Sequence, residues 1–262
     1  DLHRLIRRQR QMCIRDSSNN KPLLDCLSSV AKVHNCYFID AGLGAAAGNV
    51  LCSNGFSDVT IFDGNVFQKS EKTKGGALLK IKGPSKDVIV VNNYFVNNGT
   101  SYASLSVENS YGSVTRIVVV NNIVENNVNT EYSMNIGNDP DNNNFEEAII
   151  SNNVLFRTSL NVKGVEKVVV EGNIIYSPWK DGILVDVAFE AQIQIARNII
   201  KNPNEGQYAS PYGRGILIYD ALGTVIIDSN IIIDDRSPEH NMTRGIELRE
   251  ERGLGQYICF LT

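Results

Sequence analysis

One short pattern of apolar and polar positions returns eight times along the chain. Two apolar residues at alternate positions are followed by two small or polar residues, a polar anchor and two more apolar residues. The copies are Ala31–Phe38, Thr60–Phe67, Val88–Phe95, Ile117–Val124, Ala148–Leu155, Val168–Ile175, Ile193–Ile200 and Val225–Ile232. Their anchors are Cys36, Asn65, Asn93, Asn122, Asn153, Asn173, Asn198 and Asn230, separated by 29, 28, 29, 31, 20, 25 and 32 residues. Three residues before the anchor stand Val33, Phe62, Val90, Val119, Ile150, Val170, Ile195 and Ile227. Two residues after it stand Phe38, Phe67, Phe95, Val124, Leu155, Ile175, Ile200 and Ile232. All sixteen positions are apolar against a chain average of 42%, so the pattern marks a buried column. β-Branched and aromatic residues dominate it, which favours strand over helix.

A second, shorter strand motif falls between the copies. It reads Leu79-Lys80-Ile81, Leu105-Ser106-Val107, Asn135-Ile136, Leu160-Asn161-Val162, Ile183-Leu184-Val185, Ile216-Leu217-Ile218 and Ile246-Glu247-Leu248, with Gly182, Gly215 and Gly245 just before the last three. Each unit therefore carries at least two strands and a variable loop. A single unit is too short to bury its own apolar face, whereas units stacked in register bury a continuous column. The doublets after the anchors, such as Val66-Phe67, Ile174-Ile175 and Ile231-Ile232, predict a bend where both residues are sheltered. With coils about 4.8 Å apart, eight anchors span about 34 Å of axis.

This alternation of I-x-x-N-x-[IVF] with G-I-x-[IVL], over residues 30–250, resembles the right-handed parallel β-helix of the pectate-lyase-like superfamily. The resemblance implies an all-β solenoid of about seven to eight coils, truncated at both ends. It implies a polysaccharide partner lying in a groove along one exposed sheet, and a place outside the cell or on its surface. It says little about activity, because lyases, hydrolases, epimerases, tailspikes and non-catalytic binders share the architecture.

Composition changes the picture at the N-terminus. Residues 7–17, RRQRQMCIRDS, resemble a translated sequencing-library adaptor, and Asp1-Leu2-His3 fits the primer upstream of it. The expected division is therefore an artefactual, disordered segment 1–17, a β-helix domain 18–252 and an irregular tail 253–262. The whole chain of 262 residues has a formal net charge of −4. Residues 1–17 hold five Arg and two Asp, and without them the net charge becomes −7. That acidic balance argues against a nucleic-acid partner, and no apolar run reaches the ~18 residues a membrane-spanning helix needs.

Eight anchors in one column suit a structural ladder better than a ligand track. Asn tolerates left-handed backbone at turns, and stacked amides hydrogen-bond along a cross-strand axis. Cys36 and Cys52 sit at otherwise apolar strand positions and read as buried free thiols, and no C-x-x-C spacing suggests a metal. The loop Asn138–Asn144 places Asp139, Asp141 and Asn143 at a spacing loosely like that of a calcium loop. It lacks the glycine and the final glutamate of such loops, so a solvated turn is the favoured reading and no cofactor is expected.

Candidate chemistry gathers in the loops 176–181, 201–214 and 234–244, which precede the glycine-led strands. Trp179, Tyr208, Tyr212 and, on the following strand, Tyr219 are candidate sugar-stacking residues. Asp186, Asp220, Asp234, Asp235 and Glu247 are candidate acids, bases or nucleophiles of a hydrolase. Arg214, Arg244, His240 and Tyr219 suit a uronan lyase or epimerase, where a carboxylate is neutralised and its α-proton removed. Arg214 and Arg244 occupy equivalent positions, so they should stack one coil apart with a carboxylate between them, and Glu247 and Asp220 are placed to supply it. Against both enzyme readings stand solvated charge and a plain salt bridge, and no complete motif of a known polysaccharide lyase or hydrolase is present. A non-catalytic sugar binder or tailspike-like adhesin is the alternative.

Overall fold

A computed structural model describes residues 12–15, 30–39, 50–53, 57–69, 77–82, 85–99, 103–108, 114–128, 133–137, 141, 145–204, 213–236, 242, 244–250 and 257–261. The strands are β1 (Met12–Arg15), β2 (Val30–His34), β3 (Cys36–Ile39), β4 (Val50–Ser53), β5 (Ser57–Asp63), β6 (Val66–Lys69), β7 (Ala77–Lys82), β8 (Ser85–Val91) and β9 (Tyr94–Asn97). They continue with β10 (Ala103–Glu108), β11 (Val114–Val120), β12 (Ile123–Asn126), β13 (Ser133–Ile136), β14 (Phe145–Ser151), β15 (Val154–Phe156), β16 (Ser159–Lys163), β17 (Val165–Glu171) and β18 (Ile174–Tyr176). The last are β19 (Ile183–Asp186), β20 (Glu190–Ala196), β21 (Ile199–Lys201), β22 (Arg214–Tyr219), β23 (Leu222–Asp228), β24 (Ile231–Ile233), β25 (Arg244–Arg249) and β26 (Tyr257–Leu261). There is no helix among the described residues.

Every third strand joins the same sheet. Sheet A runs β1-β3-β6-β9-β12-β15-β18-β21-β24, sheet B runs β2-β5-β8-β11-β14-β17-β20-β23-β26, and sheet C runs β4-β7-β10-β13-β16-β19-β22-β25. Each turn passes from sheet B through the anchor to sheet A and then to sheet C, and neighbouring strands pair in parallel (β14 with β17, β15 with β18, β16 with β19). The result is a parallel β-solenoid. The sheets hold nine, nine and eight strands, against seven to eight expected coils. Two of the added rungs fall where none was expected. Met12–Arg15, placed by the sequence in a disordered segment, pairs with β3, and Tyr257–Leu261, placed in an irregular tail, pairs with β23. An end rung leaves a row of unpaired N–H and C=O groups, and a nearby extended segment satisfies them through its backbone whatever its side chains.

The sixteen pattern positions form the core. Fourteen are buried, while Val33 and Ile232 at the two ends are partly buried and pack against the cluster. Phe38, Phe67 and Phe95 stack along the axis with ring centroids 5.0 and 4.8 Å apart, which is the rung spacing itself. The doublets behave differently from expectation. Only the second residue points inward, and the first faces out, with Ile123 43% and Ile231 51% exposed. The chain is already extended there, so consecutive side chains alternate.

The bend itself lies one residue before the anchor. Asn35, Gly64, Asn92, Asn121, Asn152, Gly172, Arg197 and Ser229 all have positive φ, between 51° and 65°, and the anchors do not. Bending there turns each anchor amide inward and along the axis. The Asn93 side chain then accepts from Asn65 N–H (2.9 Å) and from Asn65 Nδ2 (3.0 Å). The same pair of bonds repeats from Asn93 to Asn122, Asn122 to Asn153, Asn153 to Asn173, Asn173 to Asn198 and Asn198 to Asn230. Each Nδ2 also donates to a backbone carbonyl one coil back, as Asn173 does to Ile150 (2.9 Å). At Cys36 the side-chain link stops. Its N–H donates to Asn65 (3.0 Å), but its half-buried thiol donates instead to His34 O (3.3 Å), and burial pushes that thiol's pKa up. The side chain of Cys52 lies outside the described residues.

The glycines of the second motif permit close stacking. A Cβ on Gly182 would lie 2.6 Å from Gly215 O and 2.6 Å from Ile200 Cγ2. One on Gly215 would lie 2.5 Å from Ile232 Cγ2 and 2.7 Å from Gly245 O.

Candidate functional site

The second motif forms sheet C, and its middle residues point outward. In register across β7, β10, β13, β16, β19, β22 and β25 stand Lys80, Ser106, Asn135, Asn161, Leu184, Leu217 and Glu247. Two residues further along the strands, Lys163, Asp186, Tyr219 and Arg249 are in register. Parallel in-register stacking repeats the outward positions every rung, so this strip follows directly from the alternation in the motif. Lys80 pairs with Glu108 (2.7 Å), which also accepts from Ser106 Oγ (2.9 Å). Asn161 Nδ2 donates to Asn135 Oδ1 (3.0 Å).

Two clefts lie along this face. One, of about 240 Å³, is lined by Ser106, Glu108, Asn135, Gly137, Asn161 and Lys163. The other, of about 220 Å³, is bordered by Ser159, Asn161, Lys163, Lys180, Leu184 and Tyr219. Asn161 and Lys163 line both, so the clefts form one continuous groove. Gly137 must be glycine here, since its φ is +78° and a Cβ would meet Lys163 O at 1.8 Å.

Several predicted residues meet at one end of the groove. Arg214 and Arg244 are register partners, as their equivalence requires. Glu247 bridges them, accepting from Arg214 Nε on one oxygen and from Arg244 Nη1 (2.5 Å) on the other. Arg214 is only 2% exposed while Arg244 is largely in solvent. Asp181 completes the surroundings of Arg214. One of its oxygens accepts from Gly213 N–H (3.1 Å) and Arg214 N–H (2.8 Å), and lies 3.6 Å from Arg214 Nη1. Burial raises the Asp181 pKa more than these partners lower it. A buried guanidinium needs both carboxylates, because removing one partner strands a charge in a poorly solvated place.

Other predicted groups do not join the groove. Asp220, expected beside the arginines, occupies the left-handed corner after β22, with φ 51°, and donates its N–H to Arg249 O (2.8 Å). Asp234 holds Arg236 through both oxygens (2.9 and 3.0 Å) and accepts from Met242 N–H (2.5 Å). Burial pushes its carboxyl up, yet Arg236 and the Met242 N–H outweigh that and hold its pKa below the usual value. Asp235 pairs with Lys201 of sheet A (2.6 Å). Trp179 is half-buried and borders neither cleft. Tyr219, by contrast, borders the groove and lies under Arg249, with the guanidinium 5.6 Å from its ring centre and Nη1 donating to its hydroxyl (3.3 Å). Tyr208, Tyr212 and His240 lie outside the described residues, as does the Asn138–Asn144 loop apart from Asp141.

Sequence reasoning passed over Asn135, Asn161 and Lys163. Their signal was present as the polar middle and trailing positions of the L-x-V strands, which were read only as spacers between core residues.

In chemical terms the groove offers amides, hydroxyls and two lysines over several rungs. Glu108 is engaged by a lysine, Asp181 by backbone N–H groups and Arg214, and Glu247 by two arginines, whereas Asp186 Oδ1 is buried and accepts no hydrogen bond from the described residues. Residues 129–253 match a family model described as a right handed beta helix region. That segment contains five of the sheet C strands, β13 to β25. No curated protein and no solved structure matches the chain significantly.

Proposed function

We propose, from the premise that this chain is a right-handed parallel β-helix, that it binds an extended polysaccharide along the outer face of sheet C. The architecture supports a carbohydrate-related or adhesin-like β-helix protein in general. One observation carries the more specific reading: Asn161 and Lys163 sit in both clefts, so a single polar track crosses at least five rungs from Ser106 to Tyr219. Amides and hydroxyls spaced by about 4.8 Å suit a hydroxyl-rich chain, and Lys163 and Lys180 favour one that carries carboxylates. The pectate-lyase-like resemblance points the same way.

Binding without cleavage is the better supported form. A glycosidase needs two carboxyl groups facing each other across the scissile bond with separate protonation states. Here Glu247 is held between two arginines, and Asp181, although burial raises its pKa, is tied to the backbone N–H groups of Gly213 and Arg214. Both oxygens of Glu247 are thus occupied, and the two carboxylates share Arg214 rather than face each other across an open cleft.

The test is affinity electrophoresis through gels containing pectate, alginate, xylan or laminarin. At least one acidic polymer should retard the protein, and the double variant Asn161→Ala/Lys163→Ala should weaken that retardation at least tenfold. No retardation by any polymer refutes the binding reading. Release of new reducing ends or unsaturated products overturns its non-catalytic part.

A further inference from the structure

A second concavity lies on a different face. The strands of sheet A from β3 to β12 have four residues each, whereas those from β15 to β24 have three. Among the described residues this step occurs once, between β12 and β15. On the longer side Asn97 and Asn126 turn inward and form a second amide ladder, with Asn97 Nδ2 donating to Asn126 Oδ1 (2.9 Å). On the shorter side the chain turns at Arg157 (φ 52°) and Ser177 (φ 47°), and buried Thr158 donates its hydroxyl to Phe156 O (2.9 Å) instead. The change of cross-section leaves a notch of about 390 Å³ at the sheet margin.

The notch has two unlike walls. In register across β12, β15 and β18 stand Glu125, Phe156 and Tyr176. The Phe156 and Tyr176 rings stack with centroids 5.3 Å apart and planes 14° from parallel, and are 39% and 36% exposed. The other wall is polar. Tyr94 hydrogen-bonds the Glu125 carboxylate, and burial together with that carboxylate pushes the tyrosine pKa up to about 12. The Glu125 oxygens are therefore oriented rather than free to swing. Asn127 is also positioned, since its Nδ2 donates to Asn98 Oδ1 (2.9 Å), which leaves its carbonyl oxygen to accept from a ligand. Ser177 adds a hydroxyl.

We propose that this notch is a binding site for a single neutral hexopyranose ring, separate from the sheet C groove. A pyranose has one face of C–H groups and a rim of hydroxyls. The C–H face fits the exposed aromatic pair, whose negative π surface attracts weakly positive C–H groups. The rim meets Glu125, Asn127, Arg157 and Ser177. Glu125 and Arg157 line the notch together, so its formal charges balance and an uncharged ring suits it. The occupation of this notch does not depend on the groove being a glycan site.

Saturation-transfer NMR with the methyl glycosides of glucose, galactose, mannose and N-acetylglucosamine tests the proposal, followed by calorimetric titration of whichever responds. The expected result is transfer to the ring C–H protons of at least one neutral glycoside. Phe156→Ala should weaken that binding at least tenfold, and Phe156→Trp should retain it. Phe156 is exposed, so both variants should melt like the unaltered protein. Asn161→Ala/Lys163→Ala should bind the glycoside as before, which separates this site from the groove. No transfer to any of the four sugars, or unchanged affinity in Phe156→Ala, overturns the proposal.

Discussion

Replacing Asn173 by alanine perturbs the middle of the amide ladder and nothing else. Asn173 is fully buried. Its Oδ1 accepts from Asn153 N–H (3.0 Å) and Asn153 Nδ2 (2.9 Å), and its Nδ2 donates to Ile150 O (2.9 Å) and Asn198 Oδ1 (3.0 Å). Some partners have replacements. Asn198 Oδ1 keeps the Asn173 N–H at 2.9 Å, and Asn153 Nδ2 keeps Val119 O at 2.9 Å. The Ile150 carbonyl faces β17 and keeps its place in the backbone ladder with that strand. The Asn153 N–H loses its acceptor beyond the reach of water. At ~1–3 kcal/mol for an orphaned buried group, the loss is about 2 kcal/mol. For a chain of this size, that lowers the melting temperature by about 4–8 °C. Circular dichroism melts of the wild type, Asn173→Ala and the outward-facing control Gln194→Ala measure it. A solenoid can unfold coil by coil, so amide exchange at Asn153 supplies a local reading that survives a loss of two-state behaviour. A melting temperature within about 1 °C of the control, with Asn153 still protected, would mean that the ladder bonds are replaceable and the reasoning fails.

Two further stability predictions follow from the packing and the charges. Gly215→Ala places a methyl 2.5 Å from Ile232 Cγ2 and should cost about 1–3 kcal/mol by overpacking, while Gly245→Ala, which meets nothing within 4 Å, should be close to neutral in the same urea titration; equal midpoints would refute the stacking argument. Asp234 has a folded pKa below the unfolded value of 3.8, so its stabilisation is full above that value and drains away as pH falls toward the folded one. The wild-type melting temperature should therefore drop more steeply below about pH 4 than that of Asp234→Asn, and parallel curves would show that the Arg236 and Met242 bonds contribute nothing.

The column was legible because burial leaves a strict mark. A polar residue at position 119 or 175 would have to lose its water inside a sheet stack, so only apolar side chains occur there. The outside of sheet A was not legible for the converse reason. Ile123, Ile174 and Ile231 face outward, and nothing in composition distinguishes an exposed isoleucine from a buried one. Stacking of Arg214 on Arg244 could be read from their equal offsets, and so could the need for a carboxylate. Which carboxylate was harder. Glu247 lies on the pleat and reaches both arginines, whereas Asp220 sits at the left-handed corner that ends β22, a position the strand pattern alone did not mark. The step in sheet A left a trace in the repeat. Asparagine stands four residues after the anchors Asn93 and Asn122, but Arg157 and Ser177 stand four residues after Asn153 and Asn173.

The coil from Asn153 to Asn173 closes in 20 residues, and that from Asn198 to Asn230 takes 32, yet the same amide link joins each pair. Twelve additional residues are thus accommodated without disturbing the vertical registration. The corners keep the books of height while the excursions between them are free to lengthen, so a peptide grafted at the short corner near Gly164 would alter the molecule's girth and leave its length untouched.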